Sequence, residues 1–276
     1  MIVLPYFAPP SIPIVGSLKL EPFGIFAAAG IYLAASLAAR MAKKQGEDVL
    51  PLLDYAPWGV GGGIVMGHFV HLFLYHPEEL WGKVLWGSEA LGTAWQILRV
   101  WDGLSSFGGL LGGVIAAAIY FRVKGISFWR YADAFALGVA PGWGVARVGC
   151  FAVHDHPGTR SDFFLAVDFP GGPRHDLGLY DALALFAFAG VLFALRRAGA
   201  MTGRLLPLLA VMYGIQRFFT DFLRATDVVY RDKRYFDLTP AQYGCILLVI
   251  FGIYQIAKRR APAAAPPASA KTASAK

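Results

Sequence analysis

Seven apolar stretches separated by polar, Gly- and Pro-containing segments set the rhythm of this chain. They run from about Phe23 to Ala39, Tyr55 to Tyr75, Phe107 to Phe121, Tyr131 to Phe151, Leu177 to Leu195, Leu205 to Phe222 and Tyr243 to Ile256. Repeated apolar runs of roughly 18 residues match the thickness of a bilayer core at a helical rise of about 1.5 Å per residue. The pattern predicts an all-α integral membrane protein with about seven transmembrane helices. A six-span alternative lays the Gly-rich second stretch at the membrane interface.

Basic clusters punctuate the stretches: Arg40, Lys43 and Lys44; Arg122 and Lys124; Arg196, Arg197 and Arg204; Lys258, Arg259 and Arg260. With seven crossings they all fall on one side. The preference of Lys and Arg for cytoplasmic loops then puts the N-terminus outside, the C-terminus in the cytoplasm, and loops 76–106, 152–176 and 223–242 on the outer side. Residues 1–260 form a single polytopic membrane domain. Residues 261–276, rich in Ala, Pro and Lys, read as a disordered cytoplasmic tail. The first ten residues lack the basic region and long apolar core of a cleaved signal peptide.

Composition agrees with this class: of 276 residues, 57% are hydrophobic and only 16% charged. The net charge of +7 sits at the span ends, with no basic-aromatic motif of a nucleic-acid surface. Cys150 and Cys245 lie in apolar surroundings and form no disulfide framework.

Against this background two residues stand out, Arg147 in the fourth stretch and Arg217 in the sixth. A guanidinium keeps its charge, and at a bilayer centre it costs from a few to more than ~10 kcal/mol, so it faces a protein interior or a wet cavity with a partner. Tyr213, Arg217 and Asp221 recur at every fourth position and share one helix face. Cys150 follows Arg147 by three positions and reads either as a thiol beside a cation or as a small core residue. All six histidines, His68, His71, His76, His154, His156 and His175, are expected at or beyond the outer ends of the spans. They leave a zinc site open as an alternative, although their spacing matches no established zinc motif. The run from Phe107 through Gly108 and Gly109 lacks the features of a phosphate loop. It suits tight helix packing or a helix end whose N–H groups meet an anion.

Several segments taken in order resemble the prolipoprotein diacylglyceryl transferase family over nearly the whole chain. Leu98-Arg-Val-Trp-Asp-Gly with Phe107-Gly-Gly-Leu is similar to that family's Trp-Asp-Gly and His-Gly-Gly-Leu segment, Phe107 standing where the family has a histidine. Ala146-Arg-Val-Gly-Cys-Phe resembles Gly-Arg-x-Gly-Asn-Phe, and His175-Asp-Leu-Gly-Leu-Tyr-Asp resembles His-Pro-x-x-Leu-Tyr-Glu. Tyr213-Gly-Ile-Gln-Arg-Phe and Leu238-Thr-Pro-Ala-Gln match two further family stretches.

The resemblance implies seven transmembrane helices in the bacterial inner membrane. It also implies transfer of the diacylglyceryl group of phosphatidylglycerol to the lipobox cysteine of a prolipoprotein signal peptide. The product is a thioether, and glycerol phosphate leaves. On this reading Arg147 and Arg217 hold the phosphate and Tyr213 is a site tyrosine, while Asp155 and Asp221 orient the guanidiniums. Gly108, Gly109, Cys150 and Tyr180 contact substrate, and His154 or His175 stands in as general base for the family histidine that Phe107 replaces. No cofactor and no metal are implied. A paralogue that binds phospholipid without transfer, and a metal-handling membrane protein, remain the alternatives.

Overall fold

The computed structural model describes residues 3–9, 12–15, 18–77, 97–100, 103–228 and 231–259. Trp101 and Asp102 of the Trp-Asp-Gly segment, most of the loop 76–106 and the tail 261–276 lie outside them. A short hairpin of β1 (Ile12–Val15) and β2 (Leu18–Leu20) precedes α1 (Pro22–Lys44) and α2 (Leu50–Val70). The second helix continues as a π-helical turn to Tyr75. Next come α3 (Ser106–Val123), α4 (Ala132–Val153) and a three-stranded antiparallel sheet of β3 (Pro157–Arg160), β4 (Val167–Phe169) and β5 (Gly172–Asp176), with β5 in the middle. The chain ends with α5 (Leu177–Arg197), α6 (Leu205–Thr220), a 3-10 turn at Asp221–Leu223, and α7 (Pro240–Lys258).

Six of these helices are long and apolar enough to cross a membrane, and the Gly-rich second segment is one of them at Leu50–Tyr75. The short member is α6, whose 16 residues span about 24 Å. It nevertheless joins the two ends of the bundle. At its start, Asp133 of α4 accepts hydrogen bonds from the backbone N–H groups of Gly203 and Leu205 (2.6 and 3.0 Å). Just past its end, Arg224 forms a β-bridge with Gly158 of β3. The helices run further into the basic clusters than the hydrophobic pattern alone indicates: α1 reaches Lys44 and α5 Arg197. Cations favour the last turn of a helix, and their aliphatic stems cover apolar surface.

Small residues set the helix pairings. α1 packs along α4, α2 along α3 and α6 along α7, while α5 flanks α4. Between α1 and α4, Gly30 and Gly142 approach so closely that a Cβ on either would lie 2.4 Å from the other's carbonyl oxygen. Between α2 and α3, a Cβ on Gly112 would lie 2.0 Å from the Gly62 carbonyl. Without a hydrophobic force between helices in lipid, such close backbone approach supplies the dispersion contacts that hold them.

The sheet is absent from the hydrophobic pattern. Its strands are three to five residues long, rich in Gly, Pro and charge, and lack alternation. Tertiary contacts hold it instead: Arg174 pairs with Asp227 (Nη1–Oδ1 2.9 Å), and Leu4 pairs with Val167.

Candidate functional site

The two buried arginines meet through a carboxylate that the sequence reading did not assign to the site. Asp181, one turn into α5, accepts from Arg217 Nη1 at 2.9 Å, and its Oδ2 also lies 3.4 Å from Arg147 Nε. Gln216 Nε2 donates to its other oxygen at 3.1 Å. Arg217 Nη2 then reaches Asp221 Oδ1 at 3.1 Å, Asp221 accepts from Arg224 Nε at 2.9 Å, and Arg224 pairs with Asp232. Thr239, the N-cap of α7, closes the chain by donating to Asp221 Oδ2. Three cations and three carboxylates therefore alternate from α4 to the loop after α6. Burial makes this alternation necessary, because an isolated charge here would carry an uncompensated desolvation cost.

Tyr213, Arg217 and Asp221 are all buried, as their shared helix face requires. The Tyr213 hydroxyl lies close to Arg147, Asp181 and Arg217. Its ring packs on Trp143 at 4.5 Å.

A cavity of about 480 Å³ opens beside Arg147, between α1, α2, α3 and α4. Mid-helix residues Ile31, Ala34, Val60, Ile64 and Val139 make an apolar part. Ser105, Ser106, Arg147, Cys150, Asp155 and His156 make the polar end. Arg147 Nη2 donates to Ser106 Oγ (3.2 Å) and Nη1 approaches Cys150 Sγ (3.7 Å). The start of α3 faces the same space through Ser105, Ser106 and Gly109. Ser105 caps that helix by accepting from the Gly108 N–H (3.3 Å), and Gly108 itself is buried against α2. The polar end combines a fixed guanidinium, a helix N-terminus and hydroxyl donors, which is an environment for an anion. The rest suits hydrocarbon.

Several expected positions move. Arg147 lines the cavity, whereas Arg217 lies behind it, so the guanidiniums converge on Asp181 rather than jointly on the open space. Asp155 was expected to orient Arg147; its hydrogen-bond partner is His156 Nδ1, and Asp181 pairs with Arg147 instead. Asp221 does pair with Arg217, Oδ1 lying 3.1 Å from Nη2.

His154 is not at the cavity. It ends α4 in the left-handed conformation (φ 50°) and its Nδ1 meets Asp176 Oδ2 at 2.7 Å. Asp176 in turn caps α5 by accepting from the Leu179 N–H, so His154 ties α4 to α5 beneath the rings of Tyr6 and Phe7. His175 Nδ1 and the Tyr180 hydroxyl bond to each other at 2.7 Å next to Phe163, outside the cavity lining. Burial holds the His175 ring below the usual histidine range. His68 is buried in the last turn of α2, with Nδ1 3.3 Å from the Gly103 carbonyl. Among the described residues one group could hold a metal ion, Cys150, Asp155 and His156, with ligand atoms within 4.8 Å of one another, and it does not include His68 or His71. Phe107 packs its ring toward Gly244 of α7.

Asp181 and His156 are the residues that the sequence reading named, one within the Leu179-Tyr180-Asp181 segment and one as a possible zinc ligand, without assigning them to this site. A signal for the first was present: it is the only carboxylate inside the apolar stretch from Leu177 to Leu195.

The fold and site define a multi-pass helical membrane protein whose buried ion-pair chain ends at an amphipathic cavity. The chain belongs to the prolipoprotein diacylglyceryl transferase family, whose profile it matches over residues 9–258. A phosphatidylglycerol–prolipoprotein diacylglyceryl transferase of Pseudomonas paraeruginosa is 31% identical over 260 residues, covering 92% of this chain and 94% of the relative. Proteins of the same name are 31% identical over 240 residues in Chromohalobacter salexigens (82% of this chain, 83% of the relative) and 28% identical over 263 residues in Oceanobacillus iheyensis (89% and 86%).

Proposed function

We propose that this protein transfers the diacylglyceryl group of phosphatidylglycerol to the thiol of a lipobox cysteine in a prolipoprotein signal peptide, in the bacterial inner membrane. The thiol sulfur forms a bond to the glycerol carbon, the carbon–oxygen bond to phosphate breaks, and glycerol phosphate departs. The single observation that carries this reading is Arg147 at the polar end of the amphipathic cavity, locked through Asp181 to Arg217.

Acyl chains occupy the apolar part, which places the phosphate at Arg147, Ser105, Ser106 and the start of α3. Negative charge grows on the leaving phosphate as the carbon–oxygen bond lengthens. A guanidinium that is already held in place stabilises that charge without reorganising. Arg217 acts through Asp181 as a positioning residue for Arg147, and Tyr213 belongs to the same buried cluster.

Complementation of transferase-depleted cells tests the reading, with lipoprotein modification followed by mass spectrometry. Wild type restores the thioether-linked diacylglyceryl mass. Arg147→Ala lowers transfer by about 10²–10³-fold, the loss typical of removing one preorganised donor. Undiminished transfer by Arg147→Ala removes the proposed phosphate contact.

One observation favours a second reading, phospholipid binding without transfer: the apolar Phe107 stands where the family segment has a histidine and is packed against α7. Phosphatidylglycerol that co-purifies with a wild-type chain unable to modify any lipobox peptide would select it.

A further inference from the structure

A thiol cannot attack carbon efficiently while it holds its proton, and an ordinary cysteine with a pKa of about 8.5 is mostly protonated at neutral pH. The reaction proposed above therefore needs a proton acceptor at the polar end of the cavity. Of the polar groups there, a guanidinium accepts nothing, and the serine hydroxyls are far too weakly basic. The neighbouring buried carboxylates are engaged: Asp181 accepts from Arg217 and Gln216 and faces Arg147, while Asp221 accepts from Arg217, Arg224 and Thr239. His154 and His175 are committed to Asp176 and Tyr180. One imidazole remains on the cavity wall, His156.

We propose that His156, held by Asp155, takes the proton from the acceptor thiol. This rests on the transfer reading and adds the residue that starts it. Asp155 bonds to Nδ1, which fixes the tautomer with the proton on Nδ1 and leaves Nε2 with its lone pair. Cys150, Asp155 and His156 lie within 4.8 Å of one another, and Arg147 reaches Cys150 at 3.7 Å, so base and phosphate anchor belong to one small site.

The charged and titratable groups acting on the ring are Asp155 beside it, Arg147 and Cys150 from α4, Asp181 from α5 and Arg224 after α6. Burial lowers its affinity for a proton, the Asp155 hydrogen bond opposes that, and Arg224 and Arg147 lower it further; the net direction is downward. The ring is therefore neutral near pH 7, the form a base requires. In the step itself the thiol proton moves to Nε2 and the sulfur pair forms the new bond to carbon. The old carbon–oxygen pair leaves on glycerol phosphate, and the imidazolium returns its proton to solvent or to the departing phosphate.

The test uses the purified full-length protein in phosphatidylglycerol-containing micelles, with a fluorescent lipobox peptide as acceptor and the Pseudomonas paraeruginosa relative as control. His156→Gln lowers turnover by about 10²–10⁴-fold, the usual range for a lost general base. Its KM for phosphatidylglycerol stays unchanged, and the loss of rate that wild type shows on acidification disappears. Free imidazole partly restores His156→Ala. Asp155→Asn removes the group that raises the ring's pKa, so the acid limb moves to lower pH. Wild-type transfer with an unaltered rate and pH profile in His156→Gln overturns the base assignment and leaves the transfer reading standing. Stoichiometric zinc in wild type that is lost in His156→Gln also overturns it, making the ring a metal ligand. No transfer by wild type, while the control relative transfers, overturns both.

Discussion

At the scale of single residues, Asp181 governs the site. It is fully buried between two arginines that cannot lose their charge, so its removal leaves two guanidiniums with one buried carboxylate partner fewer. Breaking a buried pair from one side costs about 3–5 kcal/mol. Asp181→Ala is therefore expected to lower the thermal unfolding temperature in detergent sharply, and to reduce transfer through misplacement of Arg147. Asp181→Glu, with the same charge on a longer stem, is expected to recover more of both than Asp181→Asn does. Equal unfolding temperatures for Asp181→Ala and wild type would contradict the pairing. Arg147→Lys keeps a charge but loses the planar fork that holds Ser106 and faces Asp181 at once. It is expected to transfer at well below a tenth of the wild-type rate, measured with the lipobox peptide.

Elements meet here through small residues and caps. Gly142 admits no side chain without moving α1 or α4, since its Cβ would collide with the Gly30 backbone. Overpacking of this kind costs about 1–3 kcal/mol. Gly142→Val is expected to lower the unfolding temperature and to narrow the cavity that Gly142 lines, whereas alanine at Gly24, where nothing lies within 4 Å, changes neither. The short α6 depends on its ends. Asp133 holds its beginning, and Thr239 holds its exit by donating to Asp221 while completing the capping box of α7. Thr239→Ala removes the cap, worth about 1 kcal/mol, and the Asp221 bond as well. Differential scanning fluorimetry is expected to show a loss larger than the cap alone explains.

Across the whole molecule, polar connections separate into two ends. One carries residues 3–9, the sheet and residues 224–228 and 231–238, tied by the Leu4–Val167 and Gly158–Arg224 bridges and by Tyr235 donating to the Leu74 carbonyl. The other carries Lys43, Lys44, Arg122, Lys124, Arg196 and Arg197, with Arg130 paired to Glu47 and Arg259 over the Trp129 ring. Positive charge favours the cytoplasmic face, so we propose that this second end, with the C-terminus, is cytoplasmic and that the cavity's polar end faces outward. A green fluorescent reporter fused after Lys258 is expected to fluoresce, and alkaline phosphatase at the same place is expected to stay inactive. The opposite pattern would invert the topology.

The hydrophobic pattern by itself determined where the helices run, because lipid forces every backbone group to pair within its own segment and leaves a long apolar signature. It likewise determined that Tyr213, Arg217 and Asp221 share a face, since helical periodicity is a local property. Which face meets which is a matter of packing between segments distant in the chain, and only the tertiary structure decided it. Packing joined Asp181 to both arginines, turned Asp155 toward His156, committed His154 and His175 elsewhere, and folded the short polar strands whose stability comes from their neighbours.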